Sequence, residues 1–279
     1  LYTATEAIFD RIHADVSWQS TIREAFRNNL FRLYFQPILN IEAGSICHYE
    51  VLLRIQLADG KIILPGEFIP VAERTGMIWQ IDEWVLTESM RLLQTHNRQH
   101  PQQPITLAIN VSAPTLQSPE FIGLFMRLCE QYQVAHHQLI IEITETAFLD
   151  DFNSAQRTLQ ILVNQGCAIA LDDFGVGFSS FSYLKQMPLS YVKLDGSYIR
   201  AINTNPQEQT FVRCLTEMVA GFDMVTIAEF VETPEVLRTI KSLGVTCAQG
   251  YLIGKPSPTI EDQATIGRRM AEAPLLEEV

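Results

Sequence analysis

Apolar residues recur along this chain with two periods, and the alternation between them lays out its elements. Residues 1–30 carry Ile8, Ile12 and Val16, then Ile22, Phe26 and Leu30, at helical spacing among charges, which predicts one or two amphipathic helices. Residues 33–39 and 46–55 are apolar, strand-like runs on either side of a Glu42-Ala43-Gly44-Ser45 turn, and predict a hairpin. A loop around Gly60 and Pro65 follows, then a long amphipathic helix over 76–97. From there the periods alternate regularly. Strands are predicted at 105–110, 139–145, 168–172, 191–195, 225–231 and 246–252. Helices are predicted at 118–132, opened by Ser118 and Pro119, and at 152–164, 180–185, 207–220 and 234–243.

Strands that alternate with helices indicate βαβ units and parallel pairing. Eight strands in about 220 residues favour a TIM-type (β/α)8 barrel of the α/β class over an open sheet. The hairpin start modifies it: one strand near the beginning should run antiparallel. The expected organisation is a helical lead-in or linker at 1–30, a barrel over 31–260, and a C-terminal helix and tail over 261–279.

Polar residues interrupt the apolar strands at one recurring place, the C-terminal end. In order these are Glu50, Asn110, Glu142 with Glu145, Asp172 with Asp173, Lys193 with Asp195, Glu229 with Glu232, and Gln249. One carboxylate ending a strand is ordinarily a helix cap or a solvated loop residue. Seven strand ends in succession are harder to explain so, because a barrel gathers the C-terminal ends of its parallel strands on one face. Asp172 and Asp173 are the sharpest case, adjacent acids where residues 168–171 leave a buried strand for a loop with Gly175 and Gly177. Such a pair is costly unless a cation neutralises it. Oxygen donors without Cys or His suit Mg²⁺ or Mn²⁺ rather than zinc. His48 would share a face with Glu50, and reads as a partly buried polar residue inside the barrel.

Composition narrows the partners. The chain has 279 residues, 47% of them apolar, and a formal net charge of -12, which argues against a DNA or RNA groove and against contact with an anionic membrane. Its five cysteines are scattered without a Cys-x-x-Cys pair, so neither a disulfide framework nor structural zinc is expected and a cytoplasmic setting is. No run approaches the roughly 18 to 20 apolar residues of a membrane span. The chain begins at Leu1 rather than Met, which leads us to expect an upstream portion. Nucleophile elbow, P-loop and dinucleotide-binding patterns do not occur.

The motifs, in order, are Tyr34-Phe35-Gln36-Pro37-Ile38, Glu50-Val51-Leu52-Leu53-Arg54, the segment 65–73, Asn110-Val111-Ser112, Glu142-Ile143-Thr144-Glu145, Asp172-Asp173-Phe174-Gly175, Lys193-Leu194-Asp195, Glu229-Phe230-Val231-Glu232 and Gln249-Gly250-Tyr251. In identity and order they resemble the EAL-domain family of cyclic di-GMP phosphodiesterases. The resemblance implies hydrolysis of cyclic di-GMP to linear pGpG at two divalent cations, Mg²⁺ or Mn²⁺, with Ca²⁺ inhibitory. It implies that Glu50, Asn110, Glu142 and Asp172 hold one cation, and that Asp172 bridges to a second, held also by Asp173. Glu229 would act as ligand or base, Lys193 would orient the attacking water, and Glu145 would support the loop over 173–180. Gln36, Arg54, Asp195 and Gln249 would line the substrate. A homodimer and an upstream diguanylate-cyclase-like or sensor domain are also implied. Four positions depart from the pattern: Val51 stands for alanine, Phe230 where glycine is frequent, and Val176 and Phe178 where threonine and tyrosine are common. The rival reading is a catalytically inactive cyclic di-GMP receptor. Such relatives typically lose metal ligands, and none is lost here.

Overall fold

The hairpin forms as the apolar pattern predicts. β1 (Phe31–Asn40) and β2 (Ser45–Gln56) pair antiparallel from Phe31 opposite Ile55 to Asn40 opposite Ser45. The computed structural model describes residues 2–145, 151–175 and 184–272, with side chains from 14 to 270 within those spans. A two-residue β3 (Ile62–Ile63) adds to the far end of β2. β2 then pairs in parallel with β4 (Leu107–Asn110), and parallel pairing continues through β5 (Leu139–Thr144), β6 (Ala168–Phe174), β7 (Tyr191–Leu194), β8 (Val225–Ala228) and β9 (Cys247–Gln249). β9 meets β1 antiparallel and closes the ring. The result is an eight-stranded TIM-type barrel in which β1 is the reversed strand.

Helices cover the outside: α1 (Tyr2–Arg27), α2 (Pro65–Arg74), α3 (Ile78–Gln99), α4 (Ala113–Gln117), α5 (Phe121–Tyr132), α6 (Phe152–Asn164), α7 (Gly196–Ile199), α8 (Pro206–Ala220), α9 (Pro234–Ser242) and α10 (Gln263–Glu272). Between them and the outward side chains of the strands lies the main core, with Phe31, Phe68, Leu86, Met90, Phe121 and Phe125 fully buried. The barrel interior is built separately. Successive side chains on a strand point to opposite faces, so residues two apart share the lumen. The lower layer is apolar and often small, with Ile38, Ala108, Ile140, Ala170, Ile227 and Cys247. Two residues further along the parallel strands come Asn110, Glu142, Asp172, Glu229 and Gln249. Strand alternation thus turns a sequence spacing into an apolar floor beneath a polar rim.

Two elements differ from the sequence reading. The loop around Pro65 contains α2, whose start is fixed by Pro65 in the first turn and by Glu67 Oε1 accepting the Leu64 N–H at 3.2 Å. The helix expected from Ser118 is divided: Ser112 caps α4, and α5 begins at Phe121 with Ser118 Oγ accepting the Glu120 N–H at 3.3 Å. Residues 2–27 form a single helix, within the one or two expected, tied to α2 by an Asp15–Arg74 ion pair at 2.6 Å. The short helix expected at 180–185 lies largely outside the described residues.

Candidate active site

The rim closes around Lys193. Its Nζ lies 3.0 Å from Glu229 Oε1, 3.1 Å from Asp172 Oδ1, 3.3 Å from Glu50 Oε2 and 3.4 Å from Glu142 Oε2. These five residues come from β7, the end of β8, β6, β2 and β5, so one ammonium is shared by four strands. Lys193 is 1% exposed and Glu142 fully buried. Burial works against the charge on Lys193, but Asp172, Glu142, Glu50 and Glu229 outweigh it and hold the ammonium well above its ordinary range.

The carboxylates divide. Burial, reinforced by Glu50, Asp172 and Glu229, raises Glu142 well above the usual range despite Lys193. Glu50 is as buried, but Lys193 and the donors Gln249 and Asn110 overcome the burial and lower it. Burial pushes Glu229 up to about 7 against the pull of Lys193, with Asp172 and Glu50 adding to the rise. Burial and the neighbouring Asp172 also raise Asp173.

Asp172 and Asp173 sit where the register between β6 and β7 shifts, and Asp173 adopts φ 55°. This irregularity lets consecutive carboxylates serve the same rim, where regular alternation would send them to opposite faces. The Asp173 N–H donates to Asp172 Oδ1 at 3.0 Å. Beyond it, the Tyr198 hydroxyl of α7 donates to the Gly175 carbonyl. Gly175 has φ 100°, and a Cβ there would lie 2.9 Å from the Tyr198 ring, so glycine is required.

Two sets of carboxylates converge closely enough to grip cations. Oxygens of Glu50, Glu142 and Asp172 lie within 4.8 Å of one another, as do those of Asp172, Asp173 and Glu229. Asp172 belongs to both. Glu142 Oε1 is buried without a hydrogen-bond partner, a sign that the polar set is built to meet a further group. Once fully ionised, five carboxylates against one ammonium would carry four negative charges, which two divalent cations would balance. Oxygen donors, a shared central acid and an orphaned oxygen fit hard cations. The Asn110 amide nitrogen donates to Glu50 Oε1 at 3.0 Å, which leaves its carbonyl oxygen as the atom to face a cation.

The remaining predicted residues fall at varied distances from this centre. Gln249 Nε2 donates to Glu50 Oε2 at 2.5 Å and to Gln36 Oε1 at 3.1 Å, so both glutamines are buried supports of Glu50. Gln249 Oε1 has no partner. Arg54 is half-buried, with its guanidinium carbon 5.6 Å from the Tyr34 ring centre and Nη1 donating to the Leu53 carbonyl. Asp195 is half-buried and caps α7 through the Ser197 N–H at 2.9 Å. Glu145 stands just past β5 at the rim, and most of the loop it was expected to support lies outside the described residues. Glu232 is exposed and outside the cluster. A mostly apolar cavity of about 410 Å³ adjoins Glu50 and Asn110, walled by Pro65, Ile69, Ile81 and Ser112.

One contributor was missed from sequence. Asp82 of α3 is 6% exposed and accepts the Ser112 N–H at 3.1 Å and its hydroxyl at 2.5 Å, fixing the chain two residues past Asn110. Its signal was a carboxylate on the apolar face of a helix, between Ile81 and Val85.

The EAL domain profile matches residues 19–256. The chain belongs to the EAL-domain family. The cyclic di-GMP phosphodiesterase PdeF of Escherichia coli (strain K12) is 35% identical over 246 residues, 88% of this chain and 32% of its own length. The cyclic di-GMP phosphodiesterase PdeB of Shewanella oneidensis is 32% identical over 242 residues, 86% of this chain and 28% of its own. The chain therefore spans about a third of the length of these curated relatives. The PaMucR phosphodiesterase, solved as a c-di-GMP complex, superposes with a TM-score of 0.81 at 30% identity, covering 87% of this chain and 98% of that one. The FimX EAL domain from Pseudomonas aeruginosa, bound to c-di-GMP, gives 0.80 at 28% identity over 88% and 98%.

Against the EAL pattern, Val51 is harmless to the rim: it is buried in the outer core, on the face of β2 opposite Glu50. Phe230 is not neutral. It carries φ 55°, a conformation that favours glycine, and its ring covers Gly196 so closely that a Cβ there would lie 2.0 Å from it. The Arg200 guanidinium lies over the ring at 4.1 Å. Val176 and Phe178 lie outside the described residues.

Proposed function

We propose that this chain is a metal-dependent phosphodiesterase that hydrolyses cyclic di-GMP to linear pGpG. The observation that carries the reading is the pair of carboxylate sets sharing Asp172. Glu50, Asn110, Glu142 and Asp172 would hold one Mg²⁺ or Mn²⁺, and Asp172 with Asp173 the second. When bound, such a pair supplies Lewis-acid polarisation of the phosphodiester and acidifies a water molecule.

The chain's own groups divide the remaining work. Lys193 Nζ, fixed by four carboxylates, is a rigid donor that orients the attacking water. Glu229, with a pKa pushed up to about 7, can take a proton at a carboxylate oxygen near neutrality. Arg54 offers a planar pair of donors to a phosphate. Gln36 and Gln249 hold Glu50 in place, with Gln249 Oε1 left to accept from a ligand. Asp195 borders the substrate, and Glu145 steadies the loop after Asp173. The larger and geometrically looser Ca²⁺ should inhibit by spoiling the shared arrangement. A homodimer and an upstream cyclase-like or sensor domain belong to the same proposal.

Incubation with cyclic di-GMP and Mn²⁺ should yield linear dinucleotide, and chelator should stop it. Asp172→Asn should abolish hydrolysis with the circular dichroism spectrum unchanged. Full turnover in that variant would refute the shared-ligand assignment. Tight binding without product in the unaltered protein would identify a receptor instead.

A further inference from the structure

The two carboxylate sets of the rim are held in different ways. In the first, Glu50 and Glu142 are buried inside the barrel, and Asn110, Lys193 and Gln249 fix Glu50 from within the lumen. The second set, Asp172, Asp173 and Glu229, stands at the exits of β6 and β8. There the chain twice takes a left-handed conformation without a glycine, at Asp173 and at Phe230, both with φ 55° and each directly after an acid of the set. Such a residue costs about 1–3 kcal/mol and persists only where its surroundings hold it.

α7 supplies the hold at both exits. Pairing of β7 with β8 sets Leu194 beside Ala228, so Gly196 and Phe230, each two residues further on, come together. The Glu229 N–H donates to the Leu194 carbonyl at 3.2 Å. The Phe230 ring rests on Gly196 in the space a Cβ would need, and Arg200, one turn along, lays its guanidinium over that ring at 4.1 Å. Two residues along a helix point to opposite sides, so Tyr198 faces away from Gly196. Its hydroxyl donates to the carbonyl of Gly175, two residues after Asp173. Burial and the charges of Asp195, Glu208 and Glu145 raise the Tyr198 phenol above its ordinary range, so it remains a donor. Its ring also packs 4.7 Å from Phe211 of α8, and Ile199 is fully buried, so α7 is anchored to the body of the molecule.

We propose that α7 is a strut for the second cation site, with Phe230 and Tyr198 as positioning residues that hold Glu229 and Asp173 at the separation a divalent ion requires. This role rests on the two-cation reading above and adds to it a division of labour. The lumen fixes Glu50 and Glu142, and α7 fixes the acids that leave the barrel. Neither Phe230 nor Tyr198 belongs to the acid set; each steadies the backbone from which a ligand projects. Partners of this kind change metal affinity by about 10–100-fold.

Mn²⁺ binding, counted from loss of the free ion's electron paramagnetic resonance signal, tests the role without turnover. The unaltered protein should take up two ions. Tyr198→Phe removes one oxygen, and Phe230→Gly removes the ring while suiting the backbone angle. Each should raise the dissociation constant of the second ion about tenfold or more and leave the first unchanged. Phe230→Tyr keeps the ring and should bind both ions as the unaltered protein does. Tyr198→Phe, the milder change, decides alone if Phe230→Gly does not fold. A second ion held undiminished in Tyr198→Phe or in folded Phe230→Gly, both ions weakened alike, or Phe230→Tyr as impaired as Phe230→Gly would overturn the strut and leave the two-cation reading standing. Fewer than two ions in the unaltered protein would overturn that reading and the strut with it.

Discussion

Lys193 meets four carboxylates within 3.4 Å, and no other cation reaches this cluster among the described residues. Removing one partner of a buried charge set leaves the others uncompensated, at a cost of about 3–5 kcal/mol. Lys193→Met should therefore lose about that much stability in chelator, and recover a good part of it when Mn²⁺ is added. Urea unfolding with and without the ion measures both, and a variant equally stable in each would contradict the cage. Asp82 makes a different prediction. Burial raises it to about 6, with the Ser112 hydroxyl and amide opposing. An unfolded aspartate titrates near 3.9, so between about pH 4 and 6 the folded chain holds a proton that the unfolded chain has released. Its contribution is then present at low pH and lost as pH rises through that window, on the order of 2 to 3 kcal/mol. Asp82→Asn should remove this slope, so the stability difference between the two proteins should change across pH 4–6 and level off above it. A constant difference would mean Asp82 is not perturbed.

Elements carry their own strain. The turn after β8 places Phe230 at φ 55° directly over Gly196, the first residue of α7. Gly196→Ala should cost about 1–3 kcal/mol through overpacking. In a Phe230→Gly background that cost should largely vanish, because the obstructing ring is gone and glycine accepts the backbone angle. Additive losses in this double-mutant cycle would show that the two residues do not touch. α2 illustrates the opposite problem of legibility. Gly60, Pro65 and Pro70 punctuate the segment as a loop would, yet Pro65 sits in the first turn, where its missing N–H costs nothing. The cap from Glu67 was in the sequence, three residues after Leu64, but without a Ser, Thr, Asp or Asn at the N-cap it did not stand out.

At the scale of the whole molecule, α1 is part of the structure and not only a lead-in. Ile22 and Ala25 are fully buried, Phe26 meets Phe31 edge-on at 4.8 Å, and Asp15 pairs with Arg74. Removing residues 1–27 should destabilise the barrel by on the order of 4 kcal/mol, from the burial of Ile22 and Phe26. An unchanged melting temperature after truncation would show that α1 merely rests on the surface.

The alternation of apolar and polar positions determined the strands, their parallel pairing after the hairpin, and which acids share a face, because a period of two fixes side-chain direction locally. That was enough to bring Glu50, Asn110, Glu142, Asp172, Lys193, Glu229 and Gln249 to one rim. It did not fix how strands sit beside one another. Closure of β9 on β1, the shift that turns Asp173 back toward Asp172, and the meeting of Phe230 with Gly196 depend on register between distant segments. So do the four partners of Lys193, which lie 21 to 143 residues away along the chain. Contacts of that kind arise from the curvature of a closed sheet, and only the tertiary structure decided them.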